Sequence, residues 1–149
     1  MYKKVTIVVA AIIACQLSFA ETCPSTADIK HHHLQGWKAY DSTDGTLLSV
    51  KRDGSFRKMA EQFALAEWVH GKNKSGSIRC YYRDNNGSDL EAYLAKDNLV
   101  PSNLKNYWYQ VSGFMDCAAS MDKCEFQSYT PGKKPQVAII SPSLSIELS

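Results

Sequence analysis

From Trp37 onward, apolar residues come in short runs separated by clusters of turn-forming residues, the punctuation of a small antiparallel sheet. Residues 37–40 read as a first strand, bounded by Gly36 and by Asp41-Ser42-Thr43-Asp44-Gly45. Residues 46–50 read as a second, closed by Arg52-Asp53-Gly54. Residues 56–68 fit two periods: Phe56, Met59, Ala60, Phe63 and Ala64 suit a helix face, and the run 63–69 suits a buried strand. Length and context favour the strand, and residues 63–70 and 77–83 are expected to form an antiparallel pair across the polar loop 71–76. Asn86-Gly87 fits a type I′ hairpin turn, but a strict two-residue loop sets Asp84 against Asp89, which a bulge or longer loop relieves. Residues 90–95 continue the sheet, 96–98 and 101–103 read as loops, 106–111 as a further strand and 117–124 as a small irregular loop. Ahead of all this, Ser25 and Asp28 announce one or two helical turns that end near His31-His32-His33. The expected fold is mainly β (α+β): one domain, an antiparallel meander of about five or six short strands with one short N-terminal helix.

The two ends break this pattern. A basic head, an apolar run from Val5 and Ser18-Phe19-Ala20 read as a signal peptide over residues 1–20, cleaved before Glu21, which implies export to the periplasm. Ile12-Ile13-Ala14-Cys15 offers a rival route in which Cys15 is acylated and anchors the chain to a membrane. Residues 21–130 form the expected domain, and 131–149 form a tail that opens on Pro131-Gly132-Lys133-Lys134-Pro135. In that tail Leu144, Ile146 and Leu148 alternate with polar residues, as in an edge strand or a strand offered to a partner or a second copy.

Removing residues 1–20 takes Lys3 and Lys4 with them, so the 17 basic residues fall to equal the 15 acidic ones. A chain near zero net charge lacks the basic surplus of a nucleic-acid binder. Four cysteines remain, Cys23, Cys80, Cys117 and Cys124, an even number that reads as two disulfides in an oxidising compartment. Three connectivities are open; Cys117–Cys124 as a local loop with Cys23–Cys80 as a long-range staple is the expected one. The staple contributes about 3–4 kcal/mol on the chain-entropy estimate. Zinc is disfavoured because no C-x2-C pair occurs.

No catalytic motif emerges: there is no G-x-S-x-G elbow, no H-E-x-x-H and no P-loop. His70 reads as a surface loop residue. His31-His32-His33 reads as a connector, since consecutive side chains diverge; only His31 and His33 share a side on a strand, and they are the sole metal-site alternative. No cofactor is expected. Trp37, Trp68 and Trp108 read as core. In Tyr107-Trp108-Tyr109 the two tyrosines face away from the tryptophan, and the exposed side of that strand is a candidate contact surface for a protein.

The order of landmarks is then a leader, Cys23-Pro24, Gly36-Trp37, Phe63-x-x-Ala66-x-Trp68, Cys80-Tyr81-Tyr82, Trp108, Cys117 and Cys124-x-Phe126. It resembles the EirA-type family of small exported proteins associated with the type IVB (Dot/Icm) secretion system. The resemblance implies a periplasmic, non-enzymatic accessory protein that supports effector delivery and intracellular growth. Its partners would be envelope proteins, secretion-system components among them, with self-association as a homodimer or small oligomer. The competing expectation is an exported ligand- or glycan-binding module that uses exposed aromatic residues.

Overall fold

A computed structural model describes residues 20–70, 76–102 and 106–132. The leader, the cleavage and lipidation sites it carries, and Leu144, Ile146 and Leu148 lie outside the described residues, apart from Ala20. The elements run α1 (Thr26–Lys30), β1 (Lys38–Asp41), α2 (Val50–Met59), β2 (Gln62–His70), β3 (Gly76–Arg83), β4 (Asp89–Pro101), β5 (Tyr109–Val111), β6 (Phe114–Cys117), a 3-10 turn (Met121–Lys123) and β7 (Phe126–Ser128). The fold is mainly antiparallel β, with a sheet ordered β1-β4-β3-β2-β6-β5 and β7 beside the far end of β4. Among the described strands only β2-β3-β4 and β5-β6 are direct hairpins; the chain crosses from β4 to the opposite edge before β5.

The strands alternate as a half-buried sheet requires. In β3, Gly76, Ile78, Cys80 and Tyr82 face the core, where they meet Ala66, Trp68, Leu94, Ile29 and Phe56. Trp68 donates its indole N–H to the Leu99 carbonyl at 3.0 Å, and Tyr82 donates its hydroxyl to the Pro24 carbonyl at 2.7 Å. All three tryptophans are buried. Cys23 pairs with Cys80 and Cys117 with Cys124. The first bond ties the segment before α1 to the central strand, and the second closes the loop after β6. Glu21 exchanges two backbone hydrogen bonds with Phe126, so the chain is held from its first described residues.

Three local expectations are corrected. Residues 46–50 do not form a strand: Leu47 makes one isolated bridge to Tyr40, and Val50 already begins α2. That helix is built as helices are: the Ser49 hydroxyl accepts from Arg52 N–H, Asp53 sits in the first turn, and Arg57 and Lys58 in the last. Gly54, which suggests a turn in the sequence, lies inside the helix. Residues 96–98 are not a loop but the continuation of β4. Asn98, at φ +60°, is the extra residue where the register with β3 shifts, a conformation asparagine tolerates. Strand 106–111 shortens to β5, and β6 and β7 are additional. The Asp84 turn takes the longer form: Gly87 (φ +81°) lies between Asp84 and Ser88, and Asp84 accepts from the backbone of Asn86 and Ser88. Asp89 thereby faces Arg83, with an Nε–Oδ1 distance of 2.7 Å, instead of Asp84.

Candidate interaction surface

One face of the sheet packs on the core; the other carries a second, continuous set of side chains. The ladders align Tyr40, Tyr93, Tyr81 and Leu65 in one row, and Lys38, Ala95, Arg79, Glu67, Asp116 and Tyr109 in the next. The Tyr40 and Tyr93 rings stack at 5.7 Å, Tyr81 lies 5.4 Å from Tyr93, and the Arg79 guanidinium sits 5.1 Å above the Tyr93 ring. Tyr81 donates to Glu67 Oε1 at 3.1 Å, and Arg79 reaches the same oxygen at 3.3 Å. Burial first, and the Glu67 charge second, push the Tyr81 hydroxyl up to about 12. The same two causes in the same order raise the Asp116 carboxyl, and its Oδ1 is buried without a hydrogen-bond partner among the described residues.

Beyond Asp116 the surface turns apolar. β5 and β6 meet at Ser112-Gly113, both at positive φ (+45° and +90°), the backbone of a two-residue type I′ hairpin. Tyr109 (49% exposed), Val111 (40%) and Phe114 (37%) fall on its solvent side with Asp116, and Tyr107 (42%) precedes them under the Lys123 ammonium. Trp108 turns into the core, so the two tyrosines are the exposed pair. Of the seven large hydrophobic residues exposed among the described ones, four belong to this hairpin and its approach. Sequence reading singles out the tyrosines but misses Val111 and Phe114; the signal was Ser112-Gly113 between two short apolar runs.

The histidines sit elsewhere. His31 caps α1 and His32 adopts φ +60°, while His33 N–H returns to the Asp28 carbonyl at 2.9 Å, so the run is the helix's exit turn. The His31 and His33 rings lie 6.1 Å apart. Among the described residues no three histidine, cysteine or acidic side chains come together as metal ligands. His33 borders an open cleft of about 710 Å³ with Glu21, Asp28, Trp37 and Lys96, where Lys96 pairs with Glu21 at 2.7 Å. His70 ends β2 with its ring 4.1 Å from that of Trp68.

The fold and this surface define a disulfide-stapled β domain with an apolar hairpin at one edge. Its bonds fit an oxidising compartment, and no helix among the described residues is long and apolar enough to cross a membrane. The chain belongs to the DUF3757 family, described as proteins of unknown function, whose model matches residues 18–127. No curated protein and no solved structure matches it.

Proposed function

We propose that this protein is an exported, non-enzymatic interaction module that holds a protein partner against the β5–β6 hairpin. The observation that carries the reading is the grouping of Tyr107, Tyr109, Val111 and Phe114 on one exposed hairpin and its approach, in a domain whose tryptophans are all internal. Aromatic side chains next to a charged row suit a protein interface, with an apolar centre and a polar rim. The order of cysteines and aromatics resembling EirA-type proteins supports the periplasm as the compartment and a type IV secretion component as the partner. The test is capture from crosslinked bacterial envelope with wild-type protein and with a Tyr109→Lys, Val111→Lys variant. Recovery of secretion-channel subunits by the wild type alone supports the reading. Retention on peptidoglycan or glycan with no protein recovered replaces it with a glycan-binding module.

A further inference from the structure

The edges of this sheet are not treated alike. β1 carries Lys38 and Asp41, and its outer side is met by Leu47 at Tyr40. β7 is backed by Glu21 at Phe126. β5 ends the strand order, and among the described residues nothing pairs with its outer side. No charged residue occurs from Asn106 to Met115. Edge strands are normally protected by charge, proline or a covering segment, because bare N–H and C=O groups recruit another strand. Among the described residues, β5 has a bare outer backbone, two large hydrophobic side chains in Tyr109 and Val111, and no charge to repel a copy of itself.

The register shows what such a strand accepts. A two-residue loop closes on a hydrogen-bonded pair, here Val111 and Phe114. Pairs alternate along an antiparallel ladder, so Gln110 and Met115 form a pair without hydrogen bonds and the Gln110 N–H and C=O both point away from β6. A second β5 brought up antiparallel about a two-fold axis at Gln110 meets those groups with its own. Gln110 then faces its counterpart, and Tyr109 lies opposite Val111 of the second copy, twice. Aromatic against β-branched is a favourable cross-strand pair, and it falls at the position where side chains approach most closely.

We infer that two copies of this protein join edge to edge through β5, in a two-fold pair centred on Gln110 that extends the sheet across both domains. The inference rests on the same hairpin as the proposed partner surface and deepens that reading. The edge is used by the second copy, while Tyr109, Val111 and Phe114 of both copies merge into one apolar face for the partner. Three-residue strands bury far less than the roughly 1,200 Å² of a stable specific interface, so the dimer is weak and concentration-dependent.

Sedimentation of the mature chain between about 5 and 500 µM tests this, a range set by the affinity expected of so small an interface. The wild type should shift from one copy toward two. Gln110→Pro removes only the outward N–H and is tolerated on an edge; it should weaken association tenfold or more with the thermal midpoint little changed. Gln110→Glu sets two carboxylates face to face, so it should be monomeric at pH 7 and recover association near pH 4. A wild type that stays monomeric throughout, or variants that associate as the wild type does, overturns the inference. A monomer that still captures an envelope partner through Tyr109 leaves the proposed function standing and removes only the dimer.

Discussion

Glu67 and Asp116 stand directly opposite each other across the β2–β6 ladder, two carboxylates on one face of the sheet. Arg79 and Tyr81 both address Glu67, whereas Asp116 keeps a buried oxygen without a partner among the described residues. Like charges in register cost about 0.2–1 kcal/mol. The pair sits where β6, and with it the hairpin that carries the exposed aromatics, joins β2.

The sign of its pH dependence follows from the raised Asp116 carboxyl. Such a group gives its full stabilising share below its unfolded value of 3.8 and loses it as pH rises through the folded value. At neutral pH it therefore costs stability. Asp116→Asn should raise the thermal midpoint at pH 7 by roughly 1–4 °C, with the difference shrinking toward pH 4. Melting curves of both proteins across that range check it; a lower midpoint for the variant at pH 7 counts against the pairing.

Two glycines should respond in opposite directions to alanine. A Cβ on Gly76 would lie 2.2 Å from Trp68 Nε1 and 2.5 Å from the Val69 carbonyl, inside the contact that seats the indole. Gly76→Ala should cost 2 kcal/mol or more, about the upper range for overpacking. Gly54, within α2, has nothing within 4 Å of such a Cβ, and Gly54→Ala should stabilise by about 0.5–1 kcal/mol. Urea titrations of the two variants read both signs.

The two disulfides differ in what they constrain. Cys23–Cys80 spans 57 residues and Cys117–Cys124 spans 7. The chain-entropy relation assigns about 4 and about 2.5 kcal/mol respectively. Replacing Cys23 and Cys80 together by alanine should lower the denaturation midpoint more than replacing Cys117 and Cys124. The reverse order would place more of the stability in the hairpin end.

Much of this fold was legible because its signals are local. The β2–β3 pair follows from apolar runs on either side of a polar loop, and Trp108 against Tyr107 and Tyr109 from alternation alone. Helix α2 was not legible, since Gly54 mimics a turn and only Phe56 among its residues is buried. Its identity lies in the Ser49 cap and the placing of Asp53, Arg57 and Lys58. The row joining Tyr40, Tyr93 and Tyr81 was beyond reach too, because β1 and β4 pair residues over fifty positions apart. The β5–β6 hairpin was hidden for a smaller reason: Ser112-Gly113 is a weaker turn signal than Asn86-Gly87, yet it forms the two-residue I′ turn that the asparagine site does not.

The proposed contact surface is tested most directly by a photocrosslinking residue placed at Tyr109, at Val111 and, as an exposed position on another face, at Lys58 of α2, each in the full chain expressed in cells of its source organism. A discrete crosslinked protein at Tyr109 and Val111, absent at Lys58, is the expected result. Crosslinks at Lys58 equal to those at the hairpin, or none at either hairpin position, would contradict the assignment of β5–β6 as the surface this protein uses.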